Sequence, residues 1–316
     1  MINLAILGFG VVGSGVYELA LDNQETVAEK AGKAVNVRKI LVRRDIDHEA
    51  SHLFTKDFSD IANDSNIQVA VEAMGGLEPA FEYTKALLEA GKHVVTSNKE
   101  LVATHGKSLQ EIADAHNVRY LYEGSVGGGI PIIRPLQQCL AANEITEVFG
   151  ILNGTTNYIL TQMKDSGSSF EEALASAQEK GYAEADPTAD IEGHDTQRKI
   201  SILAALAFGQ EVHLDTIPTT GISALTSAEL EAAAANGEEI KLIGRAKLEN
   251  GKVTAKVEPA RIPKDSPLAS VASVYNAIVV RANPLGEVMF YGQGAGKKPT
   301  ASAVMADVID VAQNLA

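Results

Sequence analysis

The sequence predicts an α/β protein: a doubly wound parallel sheet followed by a second, α+β domain. Three observations carry that expectation. Apolar runs alternate with helical patterns through the first 130 residues, the arrangement expected of a parallel sheet whose strands are joined by helices. From about residue 131 the alternation breaks, and an Asn-Gly hairpin signal follows. The chain has 316 residues and is 45% hydrophobic, enough for about two domains, although length alone allows one.

The elements read in order. INLAILG is a strand, a helical stretch starts at Val11, and VNVRKILV and IQVAVEAM are strands. FEYTKALLEAG reads as helix, KHVVTSN as strand, LQEIADAHN as helix and VRYLYEG as strand. Beyond residue 131, EVFGILNG is a strand and TTNYILTQM a helix, and Ser169 with Glu172 forms a capping box for a helix that Gly181 ends. Residues 194–208 form a helix with Ile200, Leu203, Ala204 and Ala207 on one face and Gly209 as its stop. AKLENGKVTAKVEPARI is a hairpin turning at Asn250. The chain closes with a glycine turn and a helix opened by Pro299, whose apolar face runs Ala301, Val304, Met305, Val308. The expected boundaries are 1–130 for the first domain and 131–296 for the second, with the last helix, about 297–316, packing back on the first.

A formal net charge of -14 argues against a broad phosphate-binding surface, so nucleic acid is not an expected partner. The single cysteine, Cys139, has no internal disulfide partner, and its apolar neighbours suggest a packed thiol. The N-terminus lacks a signal-peptide pattern, and no apolar run approaches the ~20 residues that span a bilayer. A cytoplasmic protein without membrane contact is expected.

Gly8-Phe9-Gly10-Val11-Val12-Gly13 is a complete G-x-G-x-x-G directly after a strand and opening a helix, the context in which the motif has a mechanism. The glycines let the backbone approach a pyrophosphate, and the helix N-terminus offers it unpaired N–H groups. The first domain is therefore of Rossmann type, with a nicotinamide dinucleotide expected and FAD or S-adenosylmethionine as weaker options. At the end of the second strand, Arg43 and Arg44 favour NADP over NAD because arginine accommodates a 2'-phosphate. Asp45, one residue away, is the competing signal for a ribose hydroxyl.

Residues 181–199, GYAEADPTADIEGHDTQRK, carry Glu184, Asp186, Asp190, Glu192 and Asp195 and end on Lys199. As an EF-hand loop with Gly193 sixth, Thr188, Asp190 and Glu192 fall at positions one, three and five, but Lys199 occupies the place of the bidentate glutamate. Calcium is excluded on that count. With a helix starting near His194, Asp195 and Lys199 lie four apart on one face. Hydride transfer between an alcohol and a carbonyl also moves one proton, and a lysine serves if burial and the helix N-terminus lower its pKa. The carboxylates would then grip a cationic amino group, which suits an amino-acid alcohol. A solvated loop with an ordinary surface salt bridge is the alternative.

These motifs resemble homoserine dehydrogenase: GFGVVG, SNKEL at 97–101, YEGSVGGGIP at 122–131, ILNGTTNYIL at 151–160, the 181–199 stretch, and YGQGAG with PTASAV. They stand in that family's order over nearly the whole chain. The resemblance implies reversible NAD(P)-dependent interconversion of L-aspartate 4-semialdehyde and L-homoserine, on the route to threonine and methionine. It makes Lys199 the proton donor, Glu184 and Asp195 the residues that hold the substrate, and Lys99 a lysine near the nicotinamide and the reacting oxygen. Which lysine transfers the proton stays open, with Lys199 favoured and Lys99 orienting.

The resemblance also implies a monovalent cation, sodium or potassium, on the carboxylate of Glu123 and the carbonyls of Val126, Gly128 and Ile130. A hinge turn would equally explain the three glycines there. Gly181 and the 291–296 turn, with Gly294, would approach the cofactor from the second domain. A homodimer paired through the second domain's sheet is implied, and no ACT or aspartate kinase segment follows residue 316, so threonine feedback is not expected. Competing readings are an amine-forming amino-acid oxidoreductase and a redox-sensing nucleotide-binding protein without chemistry.

Overall fold

A computed structural model describes residues 1–315. The chain divides into two compact units, Met1–Gly129 with the segment from Gly296, and Ile130–Ala295.

The first unit is laid down as β1 (Ile2–Leu7), α1 (Val11–Asp22), α2 (Gln24–Ala31), β2 (Val35–Leu41), β3 (Phe54–Thr55), α3 (Ser59–Ala62), β4 (Val69–Glu72), α4 (Ala80–Glu89), β5 (His93–Thr96), α5 (Lys99–Ala115) and β6 (Tyr120–Leu121). The six strands form one sheet in the order β3-β2-β1-β4-β5-β6, and the paired strands run parallel. Strand order reverses between β1 and β4, which puts a ligand crevice at their carboxyl ends. The near-continuous apolar runs are explained by burial: Leu4, Ala5, Ile6, Leu7, Val69, Ala70 and Val71 are fully buried.

The second unit contains β7 (Glu144–Ile151), α6 (Gly154–Ser166), α7 (Phe170–Glu179), α8 (Thr188–Ile191), α9 (His194–Phe208), α10 (Ser227–Ala235), β8 (Glu238–Glu249), β9 (Lys252–Pro263), β10 (Tyr275–Asn283) and β11 (Gly286–Gln293). Its strands make a five-stranded antiparallel sheet ordered β11-β10-β7-β8-β9. Asn250 and Gly251 join β8 to β9 with φ of 51° and 76°, the pair of positive values a type I′ hairpin turn requires. Ser169 and Glu172 complete the capping box of α7. One sheet face packs on α9, where Thr196 and Ile200 approach Gly244. On the opposite face Phe149, Ile151, Ile243 and Val279 pack with Leu268, Ala269 and Val271.

The chain then returns to the first unit as α11 (Lys297–Asn314). It begins two residues before Pro299, which the first turn tolerates because its N–H groups have no helical partner. Ala301, Val304, Met305 and Val308 join the core of the parallel sheet with Val16, Val69 and Val95. Burying each of the larger side chains contributes about 1.5–3 kcal/mol.

Cys139 corrects a sequence expectation. Its neighbours Leu136 and Leu140 are buried, but Cys139 itself is exposed, at the end of the π-helical stretch Pro135–Cys139. Among the described residues no helix is long and apolar enough to cross a membrane.

Candidate active site

The glycine turn divides its work among three residues. Gly8 has φ +98°, and a Cβ there would sit 2.8 Å from the Ala73 carbonyl oxygen, so the turn from β1 admits only glycine. A Cβ on Gly13 would fall 2.0 Å from the Gly8 carbonyl oxygen, so glycine is what lets α1 close onto the strand. At Gly10 nothing lies within 4 Å of such a Cβ. Gly10 N-caps α1 without a side-chain hydrogen bond, which leaves the helix N-terminus open to an anion. That combination fits a dinucleotide pyrophosphate.

Phe9 packs edge-on against Tyr17, His48 and Phe54. Val11 is exposed and Val12 half-buried. Beyond β2, Arg43 and Arg44 are both exposed, and neither has a hydrogen bond or ion pair among the described residues. Asp45 is held by Lys56 at 2.8 Å, which lowers its pKa through hydrogen bond and charge.

Lys99 is the first residue of α5, half-buried, next to the N-cap Asn98, whose Oδ1 accepts from the Leu101 N–H at 3.2 Å. In the strand that pairs with β5 lies a residue that the sequence does not single out. Glu72, at the end of β4, is fully buried, and its carboxylate accepts from the Met74 N–H at 2.8 Å and the Thr96 hydroxyl at 2.6 Å. Burial raises its pKa against the pull of those hydrogen bonds.

In the second unit the acidic stretch resolves into separate tasks. Gly193, with φ +84°, is the N-cap of α9. One turn into that helix, the Lys199 Nζ lies 2.7 Å from Asp195 Oδ2, and both side chains are buried. The same Nζ donates to the Leu152 carbonyl at 2.7 Å. Asn153, also missed in the sequence, donates its amide to Asp190 at 2.7 Å and Asp195 at 2.9 Å. Its Oδ1 accepts from the Thr156 N–H at 2.9 Å, capping α6. The one signal available was an asparagine at the strand-to-helix junction, which reads as a cap.

Asp186 bonds the Thr188 N–H at 3.1 Å and starts α8, and those bonds lower its pKa. Glu184 is exposed, and its carboxylate has no protein partner among the described residues. The sequence grouped it with Asp195 and Lys199, but no hydrogen bond or ion pair joins it to them. Gly181 is exposed with φ +73°. Gly294 has an internal reason to be glycine, since a Cβ there would fall 1.9 Å from the Asn276 amide nitrogen.

In the 122–131 loop, Glu123 opens a short 3-10 turn and is buried, with its N–H donating to Asp307 at 2.8 Å. Val126, Gly128 and Ile130 are buried as well, and Gly127 and Gly128 have positive φ of 76° and 54°. The division between units falls at Gly129–Ile130, inside this loop. Among the described residues no group of three or more His, Cys, Asp or Glu side chains is set to hold a metal. A site here would rest on one carboxylate and backbone oxygens, a donor set suited to a hard cation.

A parallel sheet in this strand order, with a turn shaped for a pyrophosphate, defines a dinucleotide-binding protein of the Rossmann class. Comparison with known proteins agrees. A family model described as the NAD-binding domain of homoserine dehydrogenase matches residues 8–123, and one described as homoserine dehydrogenase matches 131–309. The chain belongs to the homoserine dehydrogenase family. A homoserine dehydrogenase of Synechocystis is 45% identical over 98% of this chain and 73% of its own length. The crystal structure of one from Thiobacillus denitrificans superposes with a TM-score of 0.95 at 41% identity, covering 99% of this chain and 73% of that one. A hyperthermophilic archaeal homoserine dehydrogenase in complex with NADPH has a TM-score of 0.85 at 28% identity, covering 100% of this chain and 98% of that one. The reaction is the family's, NAD(P)-dependent interconversion of L-aspartate 4-semialdehyde and L-homoserine.

Proposed function

We propose that Lys199 moves the proton in this reaction. The observation that carries the reading is the buried Asp195–Lys199 pair at 2.7 Å. When bound, the nicotinamide supplies or takes up the hydride. In reduction, the Lys199 ammonium gives a proton from Nζ to the oxygen that becomes the hydroxyl. In oxidation its neutral amine receives that proton. Asp195 and the Leu152 carbonyl aim Nζ, and Asn153 holds Asp195 in turn.

Glu184 is the exposed carboxylate left to grip the substrate ammonium, with Asp195 adding to the negative field there. Lys99 orients the reacting oxygen. Arg43 and Arg44, with no protein partners among the described residues, favour NADP, in keeping with the NADPH bound by the archaeal relative. Gly181 and Gly294 are the second unit's cofactor-binding glycines in this reading. Glu123 and the carbonyls of Val126, Gly128 and Ile130 would hold a monovalent cation, sodium or potassium. The first unit is the dinucleotide-binding domain and the second the catalytic and dimerising one, in a cytoplasmic enzyme serving threonine and methionine synthesis.

A homodimer through the second unit's sheet fits the face that bears Tyr275 stacked on the exposed Tyr291, with ring centroids 5.3 Å apart. On that face Glu147 is ion-paired with Arg245 and Arg281, whose guanidinium groups lie 4.5 and 4.8 Å from the Phe149 ring.

The test is Lys199→Ala. Homoserine oxidation should fall by roughly 10²- to 10⁴-fold, the usual worth of general acid–base catalysis, while NADPH fluorescence still reports binding. Unaltered turnover would remove Lys199 from the mechanism.

A further inference from the structure

Glu72 is a carboxylate at the end of a central strand whose neighbours Val69, Ala70 and Val71 are wholly apolar and buried. A charge in such a place is costly, and a hydrophobic residue of similar size would pack there at lower cost. Its bonding partners explain why an acid stands there. One carboxylate oxygen takes the Met74 N–H, in the loop after β4, and the other takes the Thr96 hydroxyl, at the end of β5. Thr96 Oγ1 in turn accepts from the Asn98 N–H at 2.9 Å. Asn98 is tied twice more, donating its side-chain amide to the Gly76 carbonyl at 2.7 Å and capping α5 at the Leu101 N–H. The next residue is Lys99. The loop after β4 is also anchored from below, since Gly8 packs against Ala73 and Met74.

We propose that Glu72 is a positioning residue for Lys99: through Thr96 and Asn98 it locks the loops after β4 and β5 into one frame, from which the first turn of α5 presents the lysine. The inference rests on the reading of Lys99 as the lysine that orients the reacting oxygen. The Glu72–Thr96–Asn98 relay is buried, its bonds to Met74 and Gly76 are partly so, and together they join the two loops that rim the crevice end of the sheet. A carboxylate accepts from both loops at once, which an apolar side chain cannot do.

The experiment is a double-mutant cycle between Thr96→Val and Lys99→Ala, read as kcat for homoserine oxidation beside the Kd for NADPH. Thr96→Val keeps the side-chain shape and removes the relay hydroxyl, and kcat should fall about ten- to a hundredfold, the range a small misplacement costs. Thr96→Ser should restore it. On the Lys99→Ala background, Thr96→Val should produce no further loss, because residues acting through one another are not additive. Additive losses, or a Thr96→Val enzyme with wild-type kcat, would overturn the proposal. Should Thr96→Val fail to fold, Glu72→Gln in both backgrounds reads the same coupling. The two failures are separable. An unaffected Lys99→Ala enzyme removes the reading of Lys99 itself, whereas an impaired Lys99→Ala beside an unaffected Thr96→Val removes only the positioning role.

Discussion

The Asn153 side-chain amide donates to Asp195 Oδ2 at 2.9 Å, the same oxygen that lies 2.7 Å from Lys199. A residue 42 positions away in sequence thereby bonds the carboxylate that pairs with the lysine. Asn153→Ala removes this donor and also the cap of α6, where such a loss costs about 0.5–2 kcal/mol. The expected outcome is a lower melting temperature together with reduced kcat. Asn153→Ser, which caps but cannot reach as far, should recover stability and leave kcat low. Recovery of both would reduce Asn153 to a helix cap.

Gly10 and Gly13 separate folding from cofactor binding. A Cβ at Gly10 meets no protein atom within 4 Å, whereas one at Gly13 meets the Gly8 carbonyl at 2.0 Å. Gly10→Ala should therefore fold with a nearly unchanged melting temperature and raise the Kd for NADPH. Gly13→Ala should lose stability as well. Equal melting losses in the two variants would contradict this division.

If the cofactor is NADP, Arg43 and Arg44 are exposed cations at the end of β2 that would meet its 2'-phosphate. Arg43→Ala should weaken NADP binding about tenfold, since a hydrogen bond to a charged group is worth ~1.5–3 kcal/mol, and leave NAD binding unaltered. Steady-state KM values for the two cofactors check it, and an unchanged NADP/NAD preference would rule Arg43 out.

Asp64 gives a signature in acid. Arg38 approaches it at 2.6 Å, and hydrogen bonds from Arg38 and Asn66 lower its pKa from 3.8 to about 2. A carboxylate depressed in the folded state stabilises fully above its unfolded pKa and loses that contribution as pH falls through the folded one. The stability gap between wild type and Asp64→Asn should be constant above about pH 5 and shrink progressively as pH falls through about 2. Urea titrations at several pH values measure it, and a gap that widens in acid would reverse the assignment. Arg38 is substantially exposed, so the gap will be modest.

Much of this architecture was legible because its signals are local. Residues 194–208 carry their periodicity and their glycine stop in the same stretch, and the hairpin at Asn250 is written in two adjacent residues. The Asp195–Lys199 pair follows from helical spacing alone. What escaped depends on distance in sequence. Glu72 looks like the polar end of a strand until Thr96 arrives from a strand that pairs beside it. Asn153 looks like a cap until the folded loop brings Asp190 and Asp195 to its amide. β10 is built on the short apolar run Ala277, Ile278, Val279, Val280, whose periodicity does not distinguish strand from buried helix. Cys139 shows the opposite error, since apolar neighbours do not fix which way a side chain at the end of a short helical stretch faces.

The return of α11 to the parallel sheet bears on biosynthesis. Val304, Met305 and Val308 belong to a core whose other members include Ile2 and Leu4, so the first unit is not complete until α11 has been made. During vectorial synthesis the stretch from Ile130 to Ala295 has its whole sheet available first. Domains tend to fold as they emerge, N-terminal first, and here that order is inverted: the later-encoded unit can be complete at the ribosome while the earlier one still lacks a helix.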